Sequence, residues 1–97
     1  MRPSEALEAH KEQVLRAIAQ FDVSNPRLFG SLARGEADED SDIDILVEPR
    51  DGMTSYDLAD LDRAITSILG CKIDIQTPGG LSPRIRSAVF RDARPLL

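Results

Sequence analysis

The chain has 97 residues and a formal net charge of −5, with one cysteine and no tryptophan. That length suits one domain, read as residues 1–97, with a modest core and no room for a separate substrate-binding module. The acidic balance argues against a protein held on nucleic acid by its overall field, because such binding needs clustered Lys and Arg, although a nucleotide can still bind locally.

The start, MRPSEALEAHKEQ, has no signal-type apolar core. Leu7, Val14, Ile18 and Phe21 recur at helical spacing between Ser4 and Phe21, with Ser4 as the expected N-cap. His10 falls in a polar part of this helix without clustered ligand partners and reads as an exposed helix residue. Asp22 to Pro26 is turn chemistry, followed by a short strand, Arg27 to Phe29, that stops at Gly30. Ile43 to Glu48 reads as the next strand: Ile43, Ile45 and Val47 on one face, Asp42, Asp44, Leu46 and Glu48 on the other. A helix is predicted from Tyr56 to Leu69, with Thr54 and Asp57 resembling a capping box and Gly70 as its stop. Tyr56 reads as a packing or helix-start residue.

Lys72 to Gln76 repeats the strand alternation, Ile73 and Ile75 opposite Asp74. Cys71 before it excludes an internal disulfide and a multi-cysteine zinc site, and reads as a small buried thiol in a reducing compartment. Thr77 to Gly80 is a loop, and Ser82 to about Phe90 a last short helix using Leu81, Ile85, Ala88 and Val89. Arg84, Arg86, Arg91 and Arg94 stand there against one acid, Asp92, and are expected to face solvent. No segment approaches the about 18 apolar residues of a membrane span, so a cytoplasmic protein without membrane contact is expected. Helices alternating with short strands imply an α/β (α+β) fold with a small sheet.

The chemistry concentrates between Leu28 and Glu48. Gly30 and Gly35 have the outer spacing of a P-loop, but Glu36 stands where that motif needs lysine. Asp38, Asp40, Asp42 and Asp44 alternate like a calcium loop, yet neither register supplies the central glycine or the closing glutamate. What survives is a Gly30–Ser31 turn followed by Asp42 and Asp44. Such a turn lets backbone amides approach a phosphate, with the Ser31 hydroxyl as a further donor; an ordinary strand-to-helix turn is the alternative. Carboxylates two residues apart on a strand share a face with their Cα atoms about 6.5 to 7 Å apart, close enough to converge on cations between them. Hard oxygen ligands select Mg²⁺ or Mn²⁺, and two ions roughly 3.5 to 4 Å apart suit in-line phosphoryl chemistry. A solvated strand face is the alternative for an isolated pair; Asp74, on a second alternating strand, offers a third carboxylate. Glu36, Asp38, Glu39 and Asp40 read as a solvated loop.

The run Gly30-Ser31-Leu32-Ala33-Arg34-Gly35-Glu36, then Ser41-Asp42-Ile43-Asp44, then Asp74, resembles the signature of the minimal nucleotidyltransferases of the DNA polymerase beta superfamily. The resemblance covers nearly the whole chain. It implies a mixed sheet flanked by helices, nucleotide phosphate bound at Gly30 and Ser31, Mg²⁺ held by Asp42 and Asp44, and a metal site completed by Asp74. Many relatives have Arg after the serine, where this chain has Leu32; Arg34 is the candidate replacement for that phosphate contact, with a surface or helix-terminal role as the alternative. Small stand-alone members are similar to antitoxins paired with helical HEPN ribonuclease toxins. That implies transfer of AMP from ATP to a tyrosine of the cognate toxin, in a hetero-oligomer. Two other functions compete: neutralising a toxin by binding alone, and nucleotidyl transfer to a small molecule or RNA 3′ end. The lack of an extra domain and of a strongly basic surface counts against the last.

Overall fold

Apolar residues at helical and two-residue spacings are what the chain buries, and they fall on two sides of one sheet. In a computed structural model describing residues 3–36 and 42–96, α1 (Pro3–Ala19) leads into β1 (Val23–Phe29) and the four-residue α2 (Gly30–Ala33). Then come β2 (Ile43–Pro49), α3 (Ser55–Leu69), β3 (Ile73–Gln76), a 3₁₀ turn (Pro78–Gly80), α4 (Pro83–Asp92) and the two-residue β4 (Arg94–Pro95). The sheet order is β3-β2-β1-β4. The β2–β3 pair is parallel, joined through α3 as a parallel crossover requires, while β1 is antiparallel to both β2 and β4.

Ile43, Ile45, Val47 and Ile73 point to the face covered by α1 and α3, where they pack with Leu7, Val14, Ile18, Leu61, Ile65 and Leu69. Leu46 points the other way. It is fully buried against Leu81, Val89 and Phe29, so α4 covers part of the face that carries the aspartates. The predicted mixed sheet flanked by helices is present.

Several local expectations change. The first helix starts at Pro3, whose missing N–H costs nothing in a first turn, so Ser4 is an exposed helical residue rather than the N-cap. The helix ends at Ala19 and is interrupted at half-buried His10, where φ is −119° and ψ is 19°. The segment read as a turn from Asp22 to Pro26 is largely strand: β1 begins at Val23, and an irregularity between Ser24 and Arg27 absorbs Asn25 in a left-handed conformation (φ 53°) and Pro26, which has no N–H for the ladder. Strand β4 was not foreseen; it pairs with Arg27 and Leu28 and seats Leu96 at 1% exposure. The last helix runs on to Asp92, and Ile85, expected on its buried face, is 50% exposed. Cys71 is half-buried rather than buried, and burial pushes its thiol pKa up.

The Thr54–Asp57 capping box is complete, with each side chain accepting from the other's backbone amide, and Gly70 closes α3 in the left-handed region. Tyr56 marks the helix start but packs little, at 84% exposure. Arg84, Arg86, Arg91 and Arg94 are exposed as expected. Asp38, Glu39, Asp40 and Ser41 lie outside the described residues. No described helix is long and apolar enough to cross a membrane.

Candidate active site

Strand register builds the site. Asp44 on β2 is the direct partner of Phe29 on β1 and of Asp74 on β3, so it lies between the end of one strand and the carboxylate of the next. Asp42 stands just before β2, and the amide of Ile43 donates to the Lys72 carbonyl (3.1 Å) to bring β3 alongside. Two-residue periodicity then sends Asp42, Asp44 and Asp74 to one face, opposite the buried isoleucines.

Gly30 follows Phe29 with φ at 72°. A Cβ built there would run into the Asp44 carboxylate. Glycine is therefore required twice, for its backbone conformation and for the close approach of chain to carboxylate. Gly30 itself opens the short α2 and Ser31 is its second residue, within the first turn whose amides have no acceptor inside the helix. Leu32 turns toward the main core instead of the aspartates.

Crowding is visible in the electrostatics. Partial burial, reinforced by the neighbouring charges of Asp74 and Asp42 and opposed by Arg34, pushes the Asp44 pKa up from 3.8 to about 6. The Asp42 carboxylate has Lys72 Nζ at 3.8 Å, and Asp74 accepts from Gln76 Nε2. Arg34 is already engaged: its Nε donates to Glu36 (3.0 Å) and a terminal nitrogen lies 3.6 Å from Asp92 on α4. Those partners, Glu36 foremost, raise its pKa further. A phosphate at Arg34 would have to displace them.

Among the described residues, no three carboxylate, His or Cys side chains gather into a ready-made metal cage. The aspartates form a row of oxygen donors whose mutual repulsion a divalent cation would relieve. Mg²⁺ characteristically takes one or two carboxylates and leaves positions for phosphate and water, so the donor set fits it. The concavity of about 330 Å³ lined by Glu8, His10 and Gln13 belongs to the α1 kink, and α1 covers the opposite face of the sheet. That concavity is therefore separate from the carboxylate row. Gln76 carried no signal beyond its place two residues after Asp74.

A mixed sheet that aligns carboxylates of adjacent strands beside a glycine turn defines a protein built for nucleotide chemistry. The family described as "Nucleotidyltransferase domain" matches residues 11–96, and the chain belongs to it. It is a nucleotidyltransferase. The chain is 34% identical over 86 residues to the protein adenylyltransferase MntA of Thermococcus cleftensis, covering 89% of this chain and 84% of that one. A solved structure described as a minimal nucleotidyltransferase superposes with a TM-score of 0.85 at 45% identity, covering 98% of this chain and 96% of the other. The same fold occurs in a complex of a tri-AMPylated Shewanella oneidensis HEPN toxin with an MNT antitoxin, with a TM-score of 0.69 at 18% identity, covering 93% of this chain and 71% of that one.

Proposed function

We propose that this chain is an antitoxin that transfers AMP from ATP to a tyrosine hydroxyl of a cognate HEPN ribonuclease toxin and so silences it. The observation that carries the catalytic part is the cross-strand pairing of Asp44 with Asp74 beneath the bare Cα of Gly30. The naming of a 34% identical relative as a protein adenylyltransferase, and the pairing of an MNT antitoxin with an AMPylated HEPN toxin, support the substrate and the partner.

Asp42, Asp44 and Asp74 would hold Mg²⁺, which supplies charge neutralisation for the triphosphate and for the oxygens around the α-phosphorus. Gly30 lets the backbone of the turn come close to the phosphates, with the Ser31 hydroxyl as a donor, and Arg34 can exchange its acidic partners for a phosphate oxygen. Asp74 accepts the phenolic proton as the tyrosine oxygen attacks the α-phosphorus. One O–P bond forms, the bond from the α-phosphorus to the bridging oxygen breaks, and pyrophosphate leaves with the electron pair. Thiol chemistry plays no part, and a reducing cytoplasm suits Cys71.

The test is transfer of label from α-labelled ATP, with Mg²⁺, to proteins that co-purify with the chain, comparing wild type with the double variant Asp42→Asn, Asp44→Asn. Label on a helical partner that vanishes in the double variant is the expected result. A partner inhibited equally by both, with no label in either, would replace catalysis by neutralisation through binding. Label appearing on RNA or a small molecule would move the acceptor to that class.

A further inference from the structure

Gln76 lies two residues beyond Asp74 on β3, so both side chains leave the strand on the same face. Its amide nitrogen is 3.1 Å from Oδ1 and 3.3 Å from Oδ2 of Asp74. One N–H₂ group thus straddles both oxygens of the carboxylate. The other end of the amide is backed by the 3₁₀ turn: a Cβ on Gly80 would stand 3.8 Å from Gln76 Oε1 and 3.3 Å from Thr77 Oγ1. The turn thus lies beside the amide at ordinary van der Waals distance without crowding it. Thr77 Oγ1 fixes the turn by accepting from the Gly80 amide at 3.2 Å. Leu46, the cross-strand partner of Gln76 in the parallel pair, is fully buried and gives this stretch of β3 a rigid neighbour.

The kind of donor matters as much as its place. A Lys or Arg here would neutralise Asp74 and repel a cation, whereas a neutral amide orients the carboxylate and leaves its charge intact. We propose that Gln76 is a positioning residue for Asp74, holding its carboxylate at the angle beside Asp44 from which it meets a divalent cation and an acceptor hydroxyl. This rests on the nucleotidyltransferase reading of the same row.

The test uses the full chain with its partner for transfer, and the full chain alone for metal binding. Gln76→Met keeps the length of the side chain and removes the donor; Gln76→His restores an N–H. In Gln76→Met, the Mg²⁺ concentration that gives half of the thermal stabilisation is expected to rise about tenfold, and kcat to fall about tenfold or more. With Mg²⁺ saturating, KM for ATP is expected to stay within about twofold, because Asp74 is oriented toward the cation and the acceptor hydroxyl and not toward the nucleotide itself. Gln76→His is expected to recover part of both losses. A methionine variant with the wild-type Mg²⁺ response and kcat overturns the proposal, as does an equal loss in both variants. If wild type transfers nothing while the Mg²⁺ response still weakens in Gln76→Met, the positioning role stands and the adenylyltransferase reading falls. A wild type that neither responds to Mg²⁺ nor transfers nucleotide overturns both.

Discussion

Asp44 faces Asp74 directly across the parallel β2–β3 pair, while the backbone of Gly30 comes in so close on Asp44 that a side chain there would strike the carboxylate. These two contacts join three separate parts of the sequence in one row, and they set the sign of several measurable effects.

Gly30 and Gly35 have nearly the same backbone, with φ at 72° and 74°, but only Gly30 has a carboxylate in the way of a Cβ. Gly35→Ala is therefore expected to cost the conformational term alone, about 1 kcal/mol. Gly30→Ala adds displacement of Asp44 and should cost at least about 2 kcal/mol in urea unfolding, with transfer activity lost. Equal effects in the two variants would contradict the close approach.

In the unfolded chain the Asp44 carboxyl loses its proton near 3.8, but in the folded protein it keeps it up to about 6. Between those values the folded state binds more protons, so stability falls as pH rises through the window, and the full penalty stands above it. Asp44→Asn should stabilise the metal-free protein at pH 7 by roughly 1 kcal/mol, a value reduced for the solvent around a half-exposed carboxylate. The gain should vanish below about pH 4. Added Mg²⁺ should stabilise wild type and not the variant, because a cation that binds only the folded state shifts the equilibrium by mass action. Thermal melts at pH 4 and 7, with and without Mg²⁺, read all of these.

The face shared by the aspartates and α4 offers a contrast in packing. Leu46 is fully buried under Leu81 and Val89, and Leu46→Ala should cost about 2 to 5 kcal/mol. Ile85, half exposed on α4, should tolerate alanine within about 0.5 kcal/mol. Chemical denaturation of the two variants distinguishes a buried face from a presented one.

At the start of α3, Thr54→Ala removes the hydroxyl that accepts from the Asp57 amide, leaves the backbone arm to the Asp57 carboxylate, and should cost about 1 kcal/mol. Because α3 covers the sheet face away from the aspartates, kcat should not change in the same variant.

Alternation alone made the acidic row legible. Isoleucines on one side of each strand force aspartates to the other, and only the register of Asp44 with Asp74 needed coordinates. Other features depend on partners remote in sequence. Strand β4 has two residues and no periodic pattern of its own; it exists because β1 offers an edge. The beginning of β1 was hidden by Asn25 and Pro26, which read as a turn and prove to be an irregularity within a strand. Leu46 sits among charged residues on its face and becomes core only because Leu81 and Val89 arrive from the end of the chain. The bond of Arg34 to Glu36 was within local reach of the sequence, but its approach to Asp92 was not.

The strand beside the aspartates is finished by residues from the far end of the chain. Arg94 and Pro95 pair with β1, and the amide of Leu96 donates to the Pro26 carbonyl at 3.0 Å. A ribosome has to reach Arg94 and Pro95, long after β1 has been made, before β1 gains its second neighbour, so during synthesis this strand waits with one edge bare. Contacts between such distant segments close late and slowly, and an uncapped strand invites pairing with other chains. Translation that stops short of Arg94 would leave the carboxylate-bearing strands encoded in full, yet next to an open edge.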